Sequence, residues 1–211
     1  MTADQDRISA ARAIRVDLQL IADMIEPRTR VLDVGCGDGA LLEYLTNFKQ
    51  VDGRGIELST AGVNACISRG LSVIQGDADT DLKDYPDGAF DYVILGNTLQ
   101  AMFAPHEVLG HMMRIGRHAI VSFPNFAFWR VRLDFLLGGR MPMSDLMPYY
   151  WYDTPNIHLC SIKDFVALCR QMGFRVERGL SLDSIGRARP IGAGFFTANL
   201  LGAQAVFLLT K

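Results

Sequence analysis

The sequence predicts an α/β fold, a mostly parallel sheet with helices on both faces. Three observations point there. From residue 30 to residue 123, apolar runs of strand length alternate with helix-length stretches, the rhythm of right-handed βαβ crossovers. The first run, Arg30-Val31-Leu32-Asp33-Val34, passes directly into the glycine turn Gly35-Cys36-Gly37-Asp38-Gly39. With 49% hydrophobic and 21% charged residues over 211 positions, the chain has the composition of a folded domain that buries a core.

Each element has a local reason. Ile8, Ala11, Ile14, Leu18, Ile21, Ala22 and Ile25 recur at helical spacing, so residues 7–25 read as an amphipathic helix, ended by Pro27. Residues 30–34 are a strand, 40–48 a helix and 53–57 a second strand. Residues 60–69 form a helix closed by Gly70, and 71–75 a third strand. The polar stretch 76–88 is a loop with room for a helical turn. Residues 90–95 are a fourth strand, 105–115 a helix, and 117–123 a fifth strand ended by Pro124. The rhythm then breaks. Residues 125–160 hold an apolar stretch, a Gly138-Gly139 break and the run Tyr149-Tyr150-Trp151-Tyr152, an insertion or lid on a single domain. A helix over 161–172 and strands over 174–182 and 204–210 close the chain, making seven strands. Between those last two, 186–202 is glycine-rich and loop-like in its first half.

Charge and cysteines narrow the classes. Lys plus Arg total 21 and Asp plus Glu 23, a net charge of −2, which argues against nucleic acid or an anionic membrane as a general partner. No run approaches the roughly 20 apolar residues of a membrane span, and residues 1–7 lack the pattern of a signal peptide. Cys36, Cys66, Cys160 and Cys169 match neither zinc-pair nor redox spacing, and four free thiols suit the cytoplasm. His106 and His111 are five residues apart. At about 100° per residue they point about 140° apart on a helix, so no metal site is expected there. Arg130, Arg132 and Arg140 read as a solvated basic face.

The sharpest chemical feature is the glycine turn. Glycines permit positive φ and let a ligand touch the backbone, and the following helix offers free N–H groups. Alternate glycines preceded by Asp33 suit a nucleoside with a charged amino-acid tail. The same residues also satisfy Gly-x-Gly-x-x-Gly/Ala with Ala40 last, so on this loop alone a dinucleotide is an alternative. Glu57, ending the second strand, stands where such folds place a carboxylate on ribose hydroxyls. Asp77 follows the third strand, where its carboxylate can accept from an adenine amino group while the Ala78 backbone reads the ring edge.

Val31 to Gly39, Glu57 and Asp77 together resemble the S-adenosylmethionine site of class I methyltransferases. The resemblance narrows to the MetW family. It is carried by Arg15-Val16-Asp17-Leu18, Ile21-Ala22-Asp23, Gly76-Asp77-Ala78-Asp79, Phe90-Asp91-Tyr92-Val93-Ile94-Leu95, Val121-Ser122-Phe123-Pro124-Asn125-Phe126 and Trp151-Tyr152-Asp153-Thr154-Pro155-Asn156-Ile157-His158. It implies a Rossmann-like class I methyltransferase fold with a seven-stranded sheet and an antiparallel final strand. The implied cofactor is S-adenosylmethionine or S-adenosylhomocysteine, held by Asp33, Gly35, Cys36, Gly37, Glu57, Leu58, Asp77, Ala78 and Asn97. The implied partner is MetX, the homoserine O-acyltransferase of methionine synthesis. Gly96-Asn97 departs from the Ser-Gln expected of relatives.

Methyl transfer itself needs mainly alignment of the acceptor with a good leaving group. The Asn/Asp-Pro-Pro-Tyr/Phe motif that holds amine acceptors is replaced by Gly96-Asn97-Thr98-Leu99. Tyr149, Trp151, Tyr152 and His158 are candidates for an acceptor pocket, for packing of the insertion onto the sheet, or for a partner surface with Met141, Met143 and Met147. The leading expectation is a nucleoside-binding protein that supports homoserine acyltransferase through a complex. The alternative is a methyltransferase for a small-molecule acceptor.

Overall fold

The computed structural model describes residues 14–144, 147–192 and 195–211. Strands β1 (Arg30–Val34), β2 (Asp52–Glu57), β3 (Ser72–Gln75), β4 (Phe90–Gly96) and β5 (Gly116–Pro124) pair in parallel. Strands β6 (Arg175–Leu182), β7 (Ala188–Pro190) and β8 (Gln204–Thr210) join through antiparallel pairs. The order across the sheet is β3-β2-β1-β4-β5-β8-β6-β7.

Helices α1 (Val16–Asp23), α2 (Ala40–Lys49) and α3 (Thr60–Ser68) cover one face. There Ile21, Leu41 and Leu45 pack on Val31, Ile94, Ile120 and Val206, and Leu42 packs with Cys66. The short α4 (Ala78–Asp81), α5 (Pro105–Ile115), α7 (Ile162–Gln171) and α8 (Phe196–Leu201) lie on the other face. Val108, Met112, Phe165 and Ala198 bury Leu32, Val93, Val121 and Phe207. The inner strands are therefore apolar on both sides: β8 sends Ala205, Phe207 and Leu209 into one core and Val206 and Leu208 into the other. Helix starts follow local chemistry. Ser161 and Asp164 form a capping box on α7, Ser59 caps α3 through the Gly62 N–H, and Pro105 opens α5.

The sheet has eight strands, one more than expected. The addition is β7, three residues inside the stretch expected to be loop-like, pairing Pro190 with Leu180 and Ala188 with Leu182. An edge strand tolerates Pro190, and Ala188-Arg189-Pro190 carries no alternation to announce it. Helix α1 occupies the later part of the expected 7–25 helix; residues 7–13 lie outside the described ones. The 125–160 stretch contains α6 (Trp129–Gly138). Its ends are tied by the Phe126 N–H to the Cys160 carbonyl (3.1 Å). No helix among the described residues is long and apolar enough to cross a membrane.

Candidate functional site

The strand order reverses between β1 and β4. Open α/β sheets hold ligands in the crevice beyond the strands' carboxyl ends at such a point. The glycine turn leaves β1 there, and Asn97 leaves β4 beside it.

All three glycines of the turn have left-handed φ, +72° at Gly35, +58° at Gly37 and +80° at Gly39, yet their surroundings differ. A Cβ at Gly35 would lie 2.9 Å from Thr98 Oγ1. One at Gly39 would lie 2.5 Å from Leu71 Cδ1 and 2.9 Å from Cys66 Sγ. One at Gly37 would meet nothing within 4 Å. Gly35 and Gly39 therefore serve packing, and Gly37 is the one of the three with open space beyond its backbone. Cys36 is buried against Gly55 and Cys66, and burial pushes its thiol up, so it stays protonated.

Asp33 sits on β1, only 4% exposed. Its carboxylate receives no hydrogen bond from any described residue, and burial, then the charge of Glu57, pushes it up to about 7. A buried carboxylate without a donor is costly. An ammonium group beside it would remove that cost.

Glu57 is already engaged. Oε2 accepts from the Gly37 N–H (3.0 Å), while Oε1 accepts from the Ser59 N–H (2.9 Å) and hydroxyl (2.8 Å). It thereby braces the turn against the start of α3. A carboxylate has about four acceptor directions, which leaves capacity for a ligand hydroxyl. Leu58 is 66% exposed, an apolar side chain on the rim. Asp77 caps α4, Oδ1 accepting from the Asp79 N–H (2.9 Å). Ala78 begins that helix. Asp79 in turn accepts from the Phe103 and Ala104 N–H groups (3.0 and 3.1 Å), fixing the segment after β4 beside the Asp77 turn.

Asn97 turns its side chain inward. Nδ2 donates to Asp17 Oδ2 (3.0 Å), and Oδ1 accepts from Gln204 Nε2 (2.8 Å). Arg15 grips Asp17 with two bonds, 3.1 and 2.6 Å. Burial pulls the Asp17 carboxyl upward, but the bond and charge of Arg15 and the bond from Gln204 outweigh it and hold it below the usual carboxylate value. Of this Arg15–Asp17–Asn97–Gln204 network, the sequence singles out Asn97 as a ligand contact and Arg15 and Asp17 only as part of a family resemblance; that they join with Gln204 is not legible there. Arg15-x-Asp17 at a helix start reads simply as an acid favoured by the helix dipole.

The aromatic run does not pack the insertion down: Trp151 is 74% exposed, and Tyr149, Tyr150 and Tyr152 are exposed with it. His158 sits at the foot of the insertion, Nε2 3.3 Å from the Phe103 carbonyl. Among the described residues no cluster of His, Cys, Asp or Glu could hold a metal. A depression of about 810 Å³ lies between Arg54, Ile74 and Tyr85, where α4 is too short to cover the sheet, and excludes the glycine turn. A cavity of about 390 Å³ lies between α1, α6 and the β6–β7 hairpin, with Asp17 and Gln204 among its walls.

The arrangement presents an open glycine backbone, a buried acid, an acid at a strand end, and an Asp turn, a set of acceptors that can receive ammonium, hydroxyl or amino donors. Comparisons with known proteins agree with the fold. The family profile described as "Methionine biosynthesis protein MetW" matches residues 15–209. The bifunctional methionine biosynthesis protein MetXA/MetW of Rhodopirellula baltica is 35% identical over 179 residues, covering 81% of this chain and 29% of that protein. The chain thus spans less than a third of that relative. Among solved structures, a methyltransferase of Thermotoga maritima, described as S-adenosylmethionine-dependent and a possible histamine N-methyltransferase, superposes with a TM-score of 0.68 at 19% identity, over 98% of this chain and 93% of its own. The cyclase SpnF superposes with a TM-score of 0.63 at 18% identity, over 92% and 80%.

Proposed function

This chain belongs to the MetW family of methionine biosynthesis proteins, and on that premise we propose that it binds S-adenosylmethionine or S-adenosylhomocysteine and supports or regulates homoserine O-acyltransferase (MetX) by forming a complex with it. Two observations together support the ligand half: Gly37, in the turn at the sheet's switch point, holds a left-handed φ with open space where its Cβ would be, and Asp33, four residues before it, is buried with no hydrogen-bond donor among the described residues. In this reading Asp33 receives the ligand's ammonium group and Glu57 a ribose hydroxyl. Leu58 lies on the adenine face, and Asp77 with the Ala78 backbone reads the adenine edge. Asn97 contributes through its backbone, since its side chain is committed to Asp17 and Gln204. When bound, S-adenosylmethionine supplies an electrophilic methyl group. The fold alone does not imply its transfer, as a cyclase shares it.

The partner half is supported by the bifunctional MetXA/MetW relative. Modules joined in one chain meet at high effective concentration, so a contact between them is retained at modest intrinsic affinity. The test has two arms. Calorimetric titration with S-adenosylhomocysteine is expected to give saturable binding that Gly37→Val removes. Co-purification with homoserine acyltransferase, followed by its assay with and without this chain, is expected to give a complex and a changed rate. No heat of binding sinks the ligand reading; no complex and no rate change sink the partner reading.

The 390 Å³ cavity favours a second reading, a methyltransferase acting on a small molecule. Its size is that of a small-ligand site, and Asn97, which bonds Asp17 and Gln204 in its wall, leaves β4 beside the glycine turn. Incubating the protein with methyl-labelled S-adenosylmethionine and a metabolite extract tests it. Demonstrated binding with no labelled product counts against it.

A further inference from the structure

We propose that the exposed aromatic loop Tyr149-Tyr150-Trp151-Tyr152 is the surface on which the acyltransferase docks, and that residues 97–104 couple this surface to the glycine turn. The inference rests on the partner reading above and adds the surface and its link to the ligand site.

The surface is pre-ordered. The rings of Tyr150 and Tyr152 stack at 5.4 Å, and Trp151 meets Tyr152 edge-on at 5.7 Å. These side chains hold one another outside the core, so docking would freeze little additional rotamer freedom. Tyr and Trp are the residues most often dominant in binding energy. The same insertion leaves Phe135, Leu136 and Leu137 of α6 exposed, and apolar surface on this scale marks a contact. The relative named as a bifunctional MetXA/MetW selects the occupant, because the segment matched there shares one chain with the MetXA part.

The coupling is a run of direct contacts. Thr98 packs against Gly35. Gln100 Nε2 donates to the Asn97 carbonyl (2.6 Å), and the Gln100 carbonyl accepts from both the Ile157 and His158 N–H groups (2.9 Å each). His158 also reaches the Phe103 carbonyl. Five residues beyond Tyr152, the aromatic loop is therefore hooked to the strap that lines the glycine turn. The strap is incompletely satisfied: Gln100 Oε1 is buried without a partner among the described residues, and Asn97 holds φ +55°. In the proposed coupling this strap holds the two arrangements that linkage requires.

The experiment measures acyltransferase affinity by biolayer interferometry and S-adenosylhomocysteine affinity by calorimetry, each with and without the other component. It uses the wild type, Trp151→Ala combined with Tyr152→Ala, and Gln100→Leu, with circular dichroism and Tm confirming that each variant folds. The double variant is expected to lose at least about tenfold in acyltransferase affinity while keeping its S-adenosylhomocysteine affinity within about threefold. Wild type is expected to show a reciprocal coupling of about fivefold or more, which Gln100→Leu brings close to one without changing either separate affinity by more than about threefold. Normal acyltransferase binding by the double variant overturns the surface. A loss of S-adenosylhomocysteine affinity there makes the loop a ligand lid and also overturns it. Equal affinities with and without the second component in wild type, or unchanged coupling in Gln100→Leu, overturn the link. No binding by wild type overturns the partner reading itself, and the surface with it.

Discussion

In the proposed site Asp33 ties ligand affinity to pH. Its carboxyl is raised from 3.8 to about 7 by burial and by Glu57. An ammonium group is attracted to the ionised form, so binding below pH 7 must first remove a proton. At pH 5 about 1% of such a group is ionised, against roughly three quarters at pH 7.5, so affinity should rise about 70-fold between them. Above about pH 8 the ligand's own α-amino group loses its proton and the gain stops. Stability of the ligand-free protein runs the opposite way. Between 3.8 and 7 the folded state holds a proton that the unfolded state has released, so stability falls as pH rises through that window, by about 4 kcal/mol at the limit. Asp33→Asn should therefore flatten both profiles: weak binding at every pH, and a Tm that no longer drops between pH 5 and 8. The assay is calorimetric titration of S-adenosylhomocysteine in buffers of different ionisation enthalpy, which also counts the protons released. A wild-type affinity constant from pH 5 to 7.5, or an Asp33→Asn profile with the wild-type slope, would refute the assignment of the ammonium to Asp33.

Gly37→Val should abolish binding at a stability loss of about 1–2 kcal/mol from its left-handed φ, because its Cβ meets nothing; urea denaturation beside calorimetry checks both halves. Gly39→Ala should be the reverse case, with a larger loss of about 2–4 kcal/mol from strain and overpacking against Leu71 and Cys66, read from the same denaturation curves. Glu57→Ala should weaken S-adenosylhomocysteine binding by about 1–3 kcal/mol, partly through release of the Gly37 N–H that Glu57 now holds; unchanged calorimetric affinity would place the ribose elsewhere. Asp17→Ala should destabilise the fold by about 1–3 kcal/mol at pH 7 by stranding Asn97 and Gln204. Because the folded pKa of Asp17 lies below its usual value, its contribution is present above about pH 4 and fades as pH falls through the folded value, so the difference from wild type should shrink in acid denaturation curves.

The sheet is legible because its inner strands are apolar on both faces, and runs such as Tyr92 to Leu95 and Ala119 to Val121 can do little else. The glycine turn was legible because chirality makes left-handed φ expensive for other residues. Features that depend on distant partners were not. Asp17 and Gln204 lie 187 residues apart and meet only when β8 inserts beside β5; separately they read as a helix-start acid and a strand-start amide. Asn97 looked like a ligand contact from its place after the fourth strand, and only the position of α1 shows its side chain satisfied internally. Strand β7 escaped notice because pairing with β6 creates it, not propensity. The exposure of Trp151 and Tyr152 ran against the ordinary expectation that aromatic residues are buried.

The alternate-glycine turn is one motif with two separate requirements. Positive φ at all three positions says that the chain must bend there, and says nothing about a ligand. What each absent side chain would strike is the discriminating quantity. At Gly35 and Gly39 it is the protein itself, Thr98 on one side and Leu71 with Cys66 on the other, so the fold alone demands glycine. At Gly37 the protein imposes the bend but leaves the space beyond it open, which is the room the proposed ligand uses. A chain could keep Gly35, Gly39 and the whole sheet without holding a ligand, which is why likeness of fold carries so little function. In the proposed site the residues that would separate a ligand-binding member from a purely structural one are accordingly few: Gly37 for access, and Asp33, a buried acid with no donor among the described residues.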